Sequence, residues 1–207
     1  MVRIMILPNV KDVVSIILTM KMMILCCVIT VKSAGIMGLS QLDFEDLRGY
    51  AIMIKVLFIC HGNICRSPMA EFVMKKLVSD ANFADHFQIA SAATSTEEIG
   101  NPVYPPARRK LAEHQISCAG KTARQLRRED YQEYDFLVGM DHANLCNMRR
   151  MLGGDPEGKL SLLLDHAGRS GEEIADPWYT GDFEETYRDV LAGCQGLLDQ
   201  IQGTHHL

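Results

Sequence analysis

Apolar residues follow two regimes along this chain. Residues 13–31 read VVSIILTMKMMILCCVITV, almost continuous hydrocarbon with Lys21 as the one charge. From residue 54 onward, short apolar runs alternate with stretches of helical period. Residues 54–59 are nearly all apolar, as expected of a parallel strand buried on both faces. Met69, Phe72, Val73 and Leu77 recur at helical spacing. They predict an amphipathic helix over 68–79, opened by Pro68 and capped by Ser67. Further strands are expected at 87–91, 135–140 and 160–164, and further helices at 107–115 and 142–152. The stretch 93–105 carries Thr, Ser, Gly and two prolines and reads as loop. Residues 176–181 read as a turn-rich loop. A long closing helix follows over 183–202, with Phe183, Tyr187, Val190, Leu191, Cys194, Leu197, Leu198 and Ile201 on its inner face.

Alternating strands and helices predict an α/β fold, an open parallel sheet between two helical layers. In such sheets ligands bind beyond the carboxyl ends of the strands. The loop 60–67 lies in that place.

Composition narrows the function. Hydrophobic residues make up 47% and charged residues 23% of 207, which excludes a disordered chain and a multi-span membrane protein. The formal net charge of −5 argues against a nucleic-acid partner. Seven cysteines, an odd number without a dense framework, point to a reducing compartment, and the cytoplasm is the expected location. No Cys-x-x-Cys pair occurs, and His205-His206 is too short a tract, so no metal site is expected. No residue cluster implies an organic cofactor.

Residues 1–52 differ from the rest, and three readings compete. The segment 13–31 has the length of a membrane anchor or uncleaved signal, with Arg3 and Lys11 in front and Ser33-Ala34-Gly35 behind. A central Lys21 costs about 2.5–3.5 kcal/mol on insertion scales and weakens that reading. A folded extension is the second. The preferred reading is an over-extended gene start, because Met53 directly precedes the first strand and a domain over 53–207 needs nothing upstream. A membrane partner is expected only if 13–31 is a true anchor.

The chemistry lies in Cys60-His61-Gly62-Asn63-Ile64-Cys65-Arg66-Ser67-Pro68. This segment joins a strand end to a helix start. Successive backbone amides in such a turn form an anion nest, and the helix N-terminus adds partial positive charge. Gly62 permits close backbone approach. Arg66 offers a planar fork matching two phosphate oxygens. That field favours the thiolate of a cysteine, and Ser67 can donate to the same sulfur. A thiolate inside a phosphate cradle attacks phosphorus in line and becomes phosphocysteine.

The segment resembles the active-site loop of the low-molecular-weight protein tyrosine phosphatase family. A second motif of that family, Asp-Pro followed by aromatics, stands at Asp176-Pro177-Trp178-Tyr179. The resemblance covers about residues 54–203. It implies Cys60 as nucleophile, Arg66 as phosphate clamp, Asp176 as general acid and then base, and a phosphotyrosine-containing protein or peptide as substrate. It implies that Asn63 organises the loop through Ser91. It also implies that Cys65 can form a protective disulfide with Cys60. Trp178 and Tyr179 keep the family's aromatic wall. Three positions depart from it: His61 replaces a common leucine, Glu97 stands at an often aromatic rim position, and Lys121 replaces a histidine near the loop. His114 and Cys118 read as packing residues.

Three rivals share this loop. Arsenate reduction needs a close relay pair of cysteines, and Cys118 and Cys146 are far apart in sequence. Phosphoarginine phosphatases of this type tend to carry threonine at the position of Ile64. A silent phosphotyrosine-binding module would have lost the nucleophile or the acid, and both are present.

Overall fold

The computed structural model describes residues 53–205. The readings placed on residues 1–52, the apolar stretch 13–31 among them, lie outside the described residues, as does His206. Among the described residues no helix is long and apolar enough to cross a membrane.

Four parallel strands form one sheet: β1 (Ile54–Cys60), β2 (Phe87–Ala93), β3 (Phe136–Gly139) and β4 (Leu160–Leu162), in the order β2-β1-β3-β4. Between them run α1 (Arg66–Asp80), α2 (Pro105–Glu113), α3 (Asp130–Glu133) and α4 (His142–Leu152). After β4 come α5 (Pro177–Thr180) and the closing helix α6 (Phe183–His205). β1 pairs with β2 from Ile54 opposite Phe87 to Cys60 opposite Ala93, and with β3 from Val56 opposite Phe136 to Ile59 opposite Gly139.

β1 is a central strand of a parallel sheet covered by helices on both faces, which is why it is an apolar run and not an alternation. Val56, Phe58 and Cys60 join the cluster that contains Met69, Val73 and Met74 of α1 and Val190, Cys194 and Leu197 of α6. Leu57 and Ile59 face the other way, into the cluster holding Tyr131, Leu145, Met148 and Leu152. Helices therefore cover both faces, as the alternation of strands and helices predicts. The chain leaves β1 for β2 on one side and returns as β3 on the other. The carboxyl end of β1 is thus the switch point at which such sheets take ligands.

Several local expectations need correction. α1 starts at Arg66 with Cys65 at the N-cap and no side-chain cap, so Ser67 lies inside the first turn. Its hydroxyl is engaged by Cys60 and Asn63 instead. The strand expected over 160–164 stops at Leu162, and a 3-10 helix, Leu163–Ala167, takes over. Asp165 causes this change, since its carboxylate accepts from the Leu162 amide at 3.0 Å and the Gly171 amide at 2.8 Å. Residues 177–180 form one short helix capped by Asp176. Leu191 is 37% exposed, off the inner face of α6.

α6 packs closely on the 3-10 turn after β4 through two glycines. A β-carbon at Gly193 would lie 2.5 Å from Leu163 Cγ, and one at Gly196 would overlap the His166 carbonyl oxygen. Gly196→Ala adds about 1 kcal/mol of helix propensity but forces backbone apart. It is expected to destabilise the protein by about 1–3 kcal/mol, a fall of several degrees in Tm. Thermal unfolding measures this directly. An unchanged or higher Tm would mean that α6 does not rest on that turn.

Candidate active site

β1 ends at Cys60, and residues 61–65 turn the chain into α1. The turn requires a left-handed residue, and Asn63 supplies it at φ 59°. Asparagine is among the few side chains that tolerate this conformation. The Asn63 amide then donates to Cys60 Sγ at 3.3 Å, and Ser67 Oγ lies 3.1 Å from the same sulfur. The amides of Gly62, Ile64 and Cys65 donate to no acceptor among the described residues. They stand beside the N-terminus of a 15-residue helix, an arrangement that attracts anions.

Both loop cysteines are buried and free of disulfides. Burial, joined by the charges of Cys60, Asp176 and Glu98, pushes the Cys65 thiol up to about 12 against the pull of Arg66. Cys65 therefore stays protonated at neutral pH.

Arg66 is 3% exposed and held from three sides. Its Nη1 donates to Asp141 Oδ2 at 2.6 Å and to the Ile174 carbonyl at 3.1 Å, and its Nη2 donates to Asp176 Oδ2 at 2.6 Å. Burial works against its charge, but Cys60, Asp176 and Asp141 more than compensate and raise its already high value. Its Nε is buried without a partner among the described residues. A charged N–H left unpaired in the interior is costly, and an oxyanion would satisfy it. Asp141 caps α4, accepting from the Asn144 amide at 2.6 Å. Asp176 caps α5 and accepts from the Trp178 amide at 3.1 Å.

A cavity of about 130 Å³ opens over the loop. Cys60, Ile64 and Arg66 line it, as do Asp176, Trp178 and Tyr179. Trp178 is half exposed and leans on Tyr104, with ring centroids 5.0 Å apart, and Tyr104 in turn meets Phe183 at 6.1 Å. Tyr179 projects into solvent at 84% exposure. His61, Glu97 and Glu98 complete the rim, with His61 Nε2 3.3 Å from Glu97 Oε2.

Beneath the loop runs a chain of hydrogen bonds with a fixed direction. Glu71 Oε2 accepts from Ser91 Oγ at 2.6 Å, so the Ser91 oxygen is left to accept from Asn63 Nδ2 at 2.8 Å. The second Asn63 Nδ2 hydrogen goes to Ser67 Oγ at 2.8 Å, while Asn63 Oδ1 accepts from the Arg124 amide at 3.1 Å. Ser67, accepting from Asn63, has its own proton available to Cys60 Sγ at 3.1 Å and to the Ala92 carbonyl at 3.5 Å. Lys121 Nζ anchors the far end, 2.9 Å from Glu71 Oε2 and 3.1 Å from the Ser91 carbonyl. Burial would raise Glu71, but Lys121 and hydrogen bonds from Lys75 and Ser91 hold it below the ordinary carboxylate range.

The residues singled out in the sequence converge here: Cys60 to Ser67 form the loop, and Asp176, Trp178, Tyr179 and Glu97 face it across the cavity. Asn63 bonds Ser91, and Lys121 lies next to that bond. His114 stacks on Tyr187 at 3.8 Å, and Cys118 is buried, as packing residues would be. Sequence reasoning missed Asp141, Glu71, Glu98 and Tyr104. Asp141 with Asn144 carries the pattern of a helix cap, which signals a helix start but not a partner for Arg66. Glu71 reads as half of a surface pair with Lys75, because nothing in the sequence brings Lys121 to it.

Lys121→Met is expected to cost about 2–3 kcal/mol at neutral pH, since it leaves buried Glu71 with only the half-exposed Lys75 as its cation. Lys121→Arg should restore most of that. In the unmutated protein Glu71 is depressed, so its stabilisation is complete above the unfolded carboxylate value of 4.5 and fades as pH falls through its lower folded value. In Lys121→Met the burial penalty is opposed only by Lys75 and Ser91, so Glu71 takes up its proton at a higher pH than in the unmutated protein, and that protonation relieves part of the cost. The gap between the two proteins in urea unfolding should therefore narrow from about pH 7 to about pH 4. An equal gap at both would remove the ion pair as its source.

The profile of the family described as low molecular weight phosphotyrosine protein phosphatase matches residues 55–206. Low molecular weight protein-tyrosine-phosphatase YfkJ of Bacillus subtilis is 37% identical over 151 residues, 72% of this chain and 97% of the relative. Low molecular weight phosphotyrosine protein phosphatase of Rattus norvegicus is 40% identical over 149 residues, 70% of this chain and 94% of the relative. The crystal structure of YfkJ is similar with a TM-score of 0.71, covering 73% of this chain and 96% of that one at 37% identity. On the match to its profile and to these relatives, the chain belongs to the low molecular weight phosphotyrosine protein phosphatase family.

Proposed function

We propose that residues 53–207 form the catalytic domain of a phosphotyrosine hydrolase that works through phosphocysteine. The carrying observation is the buried Arg66 Nε and the loop amides, all without a partner among the described residues, on the loop that holds the Cys60 sulfur. The Cys60 thiolate attacks phosphorus, and the bond from phosphorus to the tyrosyl oxygen breaks. Asp176 gives its proton to that oxygen, so the phenol leaves neutral. Asp176, now a carboxylate, takes a proton from water as the water attacks phosphocysteine. Phosphate departs and the thiolate returns. Arg66 and the loop amides hold the equatorial oxygens throughout. Asp176 shares Arg66 in this structure, so the incoming phosphate takes over the guanidinium edge and releases the carboxyl towards the leaving oxygen. The aromatic lining favours an aryl ester.

Cys60→Ser is expected to abolish hydrolysis of phosphotyrosine peptides, and Asp176→Asn to slow it about 10²–10⁴-fold. Phosphoarginine and arsenate assays run beside them. Turnover of only one of those two would keep the loop chemistry and overturn the phosphotyrosine substrate. Tight peptide binding without turnover would support the silent module.

The same loop supports redox control in a reducing compartment such as the cytoplasm. Peroxide oxidises the Cys60 thiolate to sulfenic acid, releasing hydroxide, and the Cys65 thiol then displaces water to form the disulfide. The proposed test is mass spectrometry under non-reducing conditions after mild peroxide. A Cys60–Cys65 linked peptide is expected; sulfinic acid accumulating at Cys60 without that link would end the idea.

A further inference from the structure

The cavity rim carries more negative charge than a site for a phosphate dianion would favour, and it lies where a bound peptide must pass. Glu97 and Glu98 sit in the segment after β2, and the Glu97 side chain is 72% exposed. Glu98 is fixed: its carbon chain packs over Gly62, where a β-carbon would lie 3.2 Å from Glu98 Cγ, and its carboxylate accepts from Asn101 Nδ2 at 2.7 Å. Its charge reaches the loop, since Glu98 contributes to the rise at Cys65. On the other side, Glu173 is half exposed and close enough to act on Arg66.

The cations of this cavity do not balance those groups. Arg66 is already shared between Asp141 and Asp176. His61 faces Glu97 and carries charge only when protonated. Among the described residues no lysine lines the cavity. The long-range field has the same sign, because residues 54–207 hold 16 basic and 22 acidic residues. Phosphate still binds, since short-range donors in the loop act on it at contact. Flanking residues outside the cradle meet only the rim and the field.

We propose that Glu97 and Glu98 make this enzyme selective for phosphotyrosine flanked by lysine or arginine, and against phosphotyrosine flanked by carboxylates. The proposal rests on the phosphotyrosine reading above and adds the substrate class. Charge complementarity of this kind sets partner choice and encounter rate, and salt weakens it.

The test uses two phosphotyrosine peptides of equal length, one with lysine and arginine flanks and one with aspartate and glutamate flanks, plus p-nitrophenyl phosphate. The expected kcat/KM ratio, basic over acidic, is about fivefold or more at low salt, shrinking towards unity in about 0.5 M salt. In the double variant Glu97→Gln, Glu98→Gln the ratio should fall to about twofold or less. It is an internal ratio, so a general change in rate cancels. Affinities of the same peptides for Cys60→Ser give a second reading that needs no turnover. Hydrolysis of p-nitrophenyl phosphate with equal use of both peptides, or with the acidic one preferred, overturns the proposal. An unchanged ratio in the double variant overturns its assignment to these residues. No hydrolysis at all, with basic peptides still bound more tightly, overturns the catalytic reading and keeps the selectivity.

Discussion

A sulfur at the end of a buried strand is an ordinary thiol unless donors are held against it. Here one of those donors is the Asn63 amide, and beside it the Ser67 hydroxyl, which accepts from the Asn63 side chain, lies 3.1 Å from the sulfur. Asn63 is fixed in turn from three sides, by Ser91, the Arg124 amide and its own left-handed backbone. Glu71 decides the direction of the Ser91 hydroxyl, and Lys121 keeps Glu71 charged in a buried place. As far as Asn63, each bond leaves the next group one orientation. The arrangement costs desolvation of an ion pair and gains a sulfur site whose donors need no reorganisation when a phosphate arrives.

The fold makes this possible at a specific point. β1 is flanked by β2 on one side and β3 on the other, so the loop after it is reached by residues from both halves of the chain. Ser91 arrives on β2, Asp141 follows β3, and Asp176 comes from the segment before α6. A loop at a sheet edge would gather partners from one side only. The unshielded loop amides are tolerable because they lie where helix α1 begins and a ligand enters.

Local patterns made much of this legible. The apolar run of β1, the helical spacing of α1 and Asp-Pro-aromatic at 176–179 are signals carried by adjacent residues, and each marks a true element or turn. Contacts between distant residues are a different matter. Lys121 and Glu71 are fifty positions apart, and a buried ion pair has no periodic signature. Asp141 reads as a helix cap, which it is, so its second duty to Arg66 stays hidden. Ser67 illustrates the converse error. Serine before proline suggests a cap, but the helix starts two residues earlier because the Cys65 carbonyl already accepts from the Met69 amide at 3.1 Å. Asp165 ends β4 early for a similar reason: a single carboxylate that captures two amides outweighs the apolar run around it.

Two carboxylates share Arg66, yet they are not equivalent, and the difference maps onto the steps of the proposed reaction. Asp141 heads an eleven-residue helix, and its second oxygen is tied to the Asn144 amide at 2.6 Å, while Asn144 Oδ1 accepts from the Met140 amide. Moving it would uncap α4. Asp176 heads a four-residue helix, and its second oxygen has a longer bond, 3.1 Å, to the amide of half-exposed Trp178. Fewer contacts must break for it to turn. A clamp needs one fixed partner to aim the guanidinium and one exchangeable partner whose place the phosphate can take. A general acid needs to be near the leaving oxygen only once that phosphate is seated. The asymmetric setting of the two aspartates on a single arginine meets both requirements, so in the proposed reaction phosphate binding and positioning of the acid become one event at Arg66.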